Sequence, residues 1–192
     1  WFAVAEESVQ PLTAYDAVLM RQVYNKTRTY LEWMAARLGG SVTVVDDGDH
    51  AALAAAIRHD TRLVFAETFT NPLVRAQDLD ALPAVVREAR GRAPAVKLVV
   101  DSTIATPWGL RTPLLDLGVD LVVASGTKAL GGQDRDLWGY VATRDAQVGN
   151  AVMDLLAMRG GILDWRRAAA ISAKLDIAAS AHARRCDGAT RI

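Results

Sequence analysis

The strongest constraint on this chain is an alternation of short apolar runs with helical segments along most of its length. DAVLMRQ (16–22) and SVTVVDD (41–47) read as short strands flanking a helix, TRTYLEWMAARLGG, that ends on a glycine pair. A helix over 49–58 leads to a strand over 62–66, a helix over 78–90 to a strand over 96–100, and a short helix near 112–117 to a strand over 120–124. WGYVAT (138–143) is a further strand, and RDAQVGNAVMDLLAMRGG is a helix closing on glycine. Such alternation implies parallel strands with crossover helices, and the nearly continuous apolar runs imply that both sheet faces are covered. After Gly160 the sequence turns helical and arginine-rich. The expected division is a large domain over 1–160, then a linker and the start of a second domain over 161–192.

Composition narrows the function. With 192 residues, 51% of them hydrophobic, and 22 residues of each charge sign, the chain can bury a sizeable core and carries no net charge. A neutral surface without a basic block suits neither nucleic acid nor an anionic membrane. One cysteine, Cys186, cannot form an internal disulfide, and no Cys/His cluster has zinc spacing. A reducing, cytoplasmic setting is the expectation. No apolar run has the length of a membrane span, and WFAVAEESVQ lacks the features of a signal peptide. The chain starts at Trp1 and stops at ATRI, as expected of a piece of a longer polypeptide that is incomplete at both ends.

In an open α/β sheet, ligands bind beyond the carboxyl ends of the strands, so chemistry is sought in the residues that follow each apolar run. VFA is followed by ETFTNP, KLVV by DSTIATP, LVVA by SGTKALGG, and LMRQV by YNKT. Lys128 is notable because the chain has four lysines against 18 arginines. Arginine keeps its proton in a protein, whereas a desolvated lysine can become the neutral amine that a Schiff base with an aldehyde requires.

These elements resemble the Cys/Met-metabolism enzymes of pyridoxal-phosphate fold type I, the cystathionine γ-synthase, cystathionine γ-lyase and methionine γ-lyase family. That family carries E-T-x-x-N-P, then D-N-T-x-x-T-P, then S-x-T-K followed by glycines. Here they stand in order as Glu67 to Pro72, Asp101 to Pro107, and Ser125 to Lys128. The resemblance implies a three-layer, mostly parallel sheet of the aspartate aminotransferase-like large domain, and pyridoxal 5'-phosphate as cofactor. It implies that Lys128 bonds the cofactor and moves protons on the substrate. Asp101 would face the ring nitrogen and keep it protonated; an Asp after a strand is also a common helix cap. Ser125 and Thr127, at i and i+2 of an extended segment, would both reach the cofactor phosphate. Asn71 would reach the phenolic oxygen, and Tyr24 would stack on the ring and act in catalysis, though a tyrosine there also serves as a half-buried packing residue. Thr103 belongs to the matched element and to the cofactor-binding set.

Departures qualify the resemblance. Asn25 and Lys26 replace small residues after the tyrosine, and Lys26 suits either an anionic substrate end or plain solvation. Ser102 replaces the asparagine of D-N-T, and Gln133 the histidine after the glycines. The family's phosphate loop would lie at or before Trp1, and its carboxylate-binding arginine in a C-terminal domain.

Other classes fit less well. The P-loop and dinucleotide-binding fingerprints are absent, and His50, His59 and His182 are expected at the surface, far from any nucleophile motif. The expected function is a PLP-dependent carbon–sulfur lyase acting on a sulfur-containing amino acid by β- or γ-elimination. A γ-replacement enzyme is the alternative, and a non-catalytic scaffold is the alternative of another class. The resemblance further implies a small-molecule amino-acid substrate and a homodimer or dimer of dimers.

Overall fold

The structure, a computed structural model, describes residues 16–20, 25–71, 73–128, 130 and 136–190, with the backbone alone for 16–20 and 25–26. The elements run β1 (Asp16–Met20), α1 (Asn25–Arg37), β2 (Val42–Val45), α2 (His50–Ala56), β3 (Thr61–Glu67), α3 (Ala81–Ala89), β4 (Lys97–Asp101), β5 (Leu121–Ser125), β6 (Gly139–Thr143), α4 (Ala146–Arg159) and α5 (Trp165–Ala189). The strands form one sheet in the order β2-β1-β3-β4-β5-β6. Every pairing is parallel except β5 with β6, where the chain turns back and sets Gly139 opposite Ser125.

Helix starts are written in aspartates. Asp49 accepts from the Ala52 N–H, Asp145 from those of Gln147 and Val148, and Asp164 from those of Arg166 and Arg167. Each supplies an acceptor to N–H groups that have no partner within the helix. Asp78 does the same for Ala81 at the start of α3.

One expected helix does not form. Residues 112–117 make turns in which the Asp116 and Leu117 N–H groups bond back to the Pro113 carbonyl and that of Val119 to Leu114. Gly118, at φ 96°, reverses the chain. A segment bounded so closely by proline and glycine is too short to offset the cost of helix nucleation. Leu114 and Val119 are buried all the same, so the turns cover the sheet as a helix would.

The alternation of side chains along a strand creates two apolar layers. On one face Val64, Leu98, Val100 and Val122 meet Leu53 of α2, Ile57 at its C-terminal cap, and Leu82 and Val86 of α3. On the other, Phe65 and Val99 meet Leu31 of α1 and the partly buried Val42, Val44, Leu63, Leu121 and Val123. Helices on both sides of a mostly parallel sheet make three layers, as expected from the apolar runs.

Candidate active site

The register of the central strands fixes the site. Glu67, the last residue of β3, is paired with Asp101, the last of β4, and Asp101 is level with Val123 of β5, two residues before Ser125. The segments that follow therefore leave the sheet side by side. They enclose a cavity of about 440 Å³ lined by Thr27, Asn71, Asp101, Thr103, Ser125 and Lys128, with Glu67, Thr68, Phe69 and Ile104 completing the wall. Thr27 comes from the first turn of α1, which starts beyond the carboxyl end of β1.

Hydrogen bonds lock this rim. Thr68, buried, donates both its N–H (2.9 Å) and its hydroxyl (3.3 Å) to the Asp101 carbonyl. The Asp101 carboxylate accepts the Thr103 N–H at 2.8 Å, which orients it within its own loop. No helix follows Asp101, so it does not serve as the cap that its position after a strand suggested. Ser102 N–H donates to the Val123 carbonyl, and the Thr103 hydroxyl oxygen accepts the Ser125 N–H at 2.9 Å. Thr103 thus stitches the Asp101 loop to the end of β5.

Asn71 sits in a small hairpin. Phe69 bridges to Ala76, the Thr70 N–H donates to the Arg75 carbonyl, and the Arg75 N–H returns to the Thr70 hydroxyl oxygen. Val74 takes a positive φ of 51°, a costly conformation for a β-branched residue, to close the turn.

The lysine loop is held at its base by Trp138. Gly126 and Thr127 both donate N–H groups to the Trp138 carbonyl. The Thr127 hydroxyl donates to that carbonyl (3.2 Å) and accepts the Trp138 N–H (3.0 Å). Strand β5 ends at Ser125, so the extended spacing does not continue to Thr127, whose side chain is engaged with backbone and does not line the cavity. A Cβ at Gly126 would lie 2.2 Å from the Trp138 ring, so a larger residue there requires the ring to move. Lys128 follows, exposed, its side chain on the cavity.

Of the residues expected from sequence, Lys128, Asp101, Ser125, Asn71 and Thr103 come together around one cavity, and Thr127 stands behind it. Tyr24 and Gln133 lie outside the described residues, and of Asn25 and Lys26 only the helical backbone is described. Thr27, Phe69 and Ile104 are lining residues that sequence reasoning did not single out; their positions just past strand ends or at the start of a helix were the available signal. Tyr140 is another. It shares a second cavity with Asp101, and burial, with the Asp101 charge second, pushes its hydroxyl above the ordinary 10.0.

His182 corrects an expectation. It is not a remote surface residue: it is half-buried, with Nδ1 3.4 Å from the hydroxyl of Thr106 in the Asp101 loop. His59 is exposed as expected, whereas the Nε2 of His50 is buried.

Comparison with known proteins places this geometry. A family model described as Cys/Met metabolism PLP-dependent enzyme matches residues 6–173. Cystathionine gamma-lyase of Bacillus subtilis is 34% identical over 146 residues, 76% of this chain and 37% of that protein. Chloroplastic cystathionine gamma-synthase 1 of Arabidopsis thaliana is 39% identical over 119 residues, 62% of this chain and 20% of its own length. The crystal structure of cystathionine gamma-lyase from Lactobacillus plantarum complexed with L-serine superposes with a TM-score of 0.77 at 27% identity, covering 87% of this chain and 42% of that one. The matched part of the chain covers less than half the length of these relatives.

Proposed function

The chain belongs to the family of Cys/Met-metabolism PLP-dependent enzymes, and from that premise we propose that the protein containing it is a carbon–sulfur lyase acting on a sulfur-containing amino acid. The observation that carries the reading is the convergence of Lys128, Asp101, Asn71, Ser125 and Thr103 on one cavity. That donor set fits pyridoxal phosphate: an amine for its aldehyde, a carboxylate for its ring nitrogen, an amide for its phenolic oxygen and a hydroxyl for its phosphate. When bound, the cofactor supplies an electron sink for the charge left at the substrate's α-carbon.

The chain's own residues do the rest. Asp101, oriented by the Thr103 N–H, would set its carboxyl against the ring nitrogen and hold a proton there. Asn71 donates from a hairpin closed on itself, so it needs little reorganisation. Ser125, whose backbone is pinned by Thr103, would donate its hydroxyl to the phosphate. Thr127, expected from sequence to reach the phosphate, instead holds the base of the Lys128 loop against Trp138. Lys128, the amine on the cavity, would take the α-proton and deliver it where the leaving group departs. Tyr24, outside the described residues, would stack on the ring and act in catalysis by the family resemblance. The substrate and its leaving group distinguish elimination from γ-replacement, because these reactions share one electron sink and differ in what the pocket admits.

The domain reading goes with this one: residues 1–160 form the cofactor-binding domain and 161–192 lead into another. Among the described residues no helix is long and apolar enough to cross a membrane. A cytoplasmic homodimer taking a small amino-acid substrate completes the proposal.

The test is borohydride reduction of the PLP-loaded protein followed by peptide mapping. The cofactor mass is expected on Lys128, and Lys128→Ala is expected to lose both the label and sulfide release from cysteine derivatives. A label on another lysine, or sulfide release from the variant, sinks the assignment. Mass spectrometry of the keto acid then sorts the reaction: pyruvate for β-elimination, 2-oxobutyrate for γ-elimination.

A further inference from the structure

Helix α5 touches the rest of the molecule along a narrow line. Ile171 and Ala178 are buried within it, at 4% and 2% exposure, while most of the helix faces solvent. Lys174 and His182 fall on the same line, since the steps 171, 174, 178 and 182 follow the 3-4 spacing that keeps residues on one helix face. That stripe is about 16 Å long at the rise of an α-helix.

Two polar contacts leave this stripe, and each ends on a loop that carries a cofactor group. Lys174 Nζ pairs with Asp136 Oδ2, with both side chains about three-quarters buried. Asp136 lies two residues before Trp138, whose backbone holds Gly126 and Thr127 at the root of the Lys128 loop. His182 Nδ1 lies 3.4 Å from the Thr106 hydroxyl, and its ring is 6.1 Å from that of Trp108. Thr106 is 4% exposed and sits at φ 60°, a region that β-branched residues avoid. Its N–H bonds to the Ser102 carbonyl, and its hydroxyl oxygen accepts the Trp108 N–H. A backbone kept in that conformation needs its surroundings to over-determine it, and His182 is part of those surroundings. The loop so held is the one whose Thr103 orients the Asp101 carboxylate.

We propose that α5 positions the active site by holding the Asp101 loop through His182 and the Lys128 loop through Lys174, and so sets the placement of the carboxylate against the amine. Neither side chain lines the cavity, so both are positioning residues. The proposal rests on the PLP reading above for its consequence in binding, but its structural half stands on the two contacts alone.

The experiment has two arms on the full protein. In the cofactor-free protein, hydrogen exchange is followed in peptides covering 102–108 and 130–138. Lys174→Asp and Asp136→Lys are each expected to speed exchange in 130–138, with the double swap restoring it. His182→Ala is expected to speed 102–108, with His182→Gln, which keeps an acceptor, restoring it. In the loaded protein the same single changes should raise the PLP dissociation constant about three- to tenfold and shift the visible band, with the same rescues. Parent-like exchange in the single variants, or a rise spread evenly over the chain that neither the swap nor glutamine reverses, overturns the proposal. Should the parent take up no PLP on Lys128, the functional reading falls, while the cofactor-free arm still decides whether α5 holds the two loops.

Discussion

The two faces of the sheet are unequally built. On the face covered by α2 and α3, Val64, Leu98 and Val100 are wholly inaccessible, and the helices bring Leu53, Leu82 and Val86 to the same state. On the opposite face the most buried strand residues, Phe65 and Val99, keep 7% and 8% exposure, and their neighbours are only partly covered. There α4 has no fully buried residue and leaves a cavity of about 720 Å³ against β5 and β6, lined by Val123, Val141, Val152, Met153 and Leu156. The lesson is a division of labour. The filled face holds most of the wholly buried side chains, whereas Asp101, two residues after Val99, falls on the thin side and lines its cavity, so the rim takes charged and polar groups where packing leaves room for them.

Strand β4 allows that division to be broken by three neighbouring substitutions. Leu98→Ala removes a wholly buried side chain among α3 and β3 partners, and the expected loss is about 2–5 kcal/mol by urea unfolding. Val100→Ala, on the same face, should cost about 2 kcal/mol, from two lost methyl groups and the cavity they leave. Val99→Ala deletes the same atoms on the opposite face, where the neighbours are half exposed, and about 1 kcal/mol is expected. Equal losses at Val99 and Val100 would show that the two faces are equally well packed.

The filled face was the more legible part of the sequence. The strands from β1 to β6 were visible as apolar runs, because a strand covered on both sides needs no polar alternation. The candidate site was visible for a related reason: Asn71, Asp101, Ser125 and Lys128, which line one cavity, each follow a run, and a run's end is where a parallel sheet exposes chemistry. What stayed hidden depends on contacts between distant segments. Nothing local in Thr127 tells that its hydroxyl is engaged by Trp138, eleven residues on. The turns at 112–117 carry helix-forming leucines, but Pro113 and the reversal at Gly118 bound them too closely for a helix to nucleate. The antiparallel pairing of β6 with β5 brings together residues on either side of the Lys128 loop, and the docking of His182 on Thr106 joins residues 76 apart.

The smallest effect expected concerns charge, and it sharpens the same contrast. Asp47 follows β2 beside α2; burial, its main influence, pushes its carboxyl above 3.8, against the pull of Arg75 and the bond from Gln77. Asp145 begins α4 on the thin side; there Lys97, 3.0 Å away, and the Val148 and Gln147 N–H groups hold its carboxyl below 3.8. The signs are opposite. A depressed carboxyl adds stability that is present above pH 3.8 and lost as pH falls through its folded value, so Asp145→Asn should lose stability at neutral pH and converge on the parent in acid. A raised carboxyl carries a cost above its folded value that acid relieves, so Asp47→Asn should be at least as stable as the parent at neutral pH and lose that advantage as pH approaches 3.8. Urea midpoints measured against pH for the two variants decide the matter. If both variants diverged from the parent in the same direction, the idea that the filled side desolvates its carboxyl while the thin side leaves its own to solvent and a lysine would be wrong.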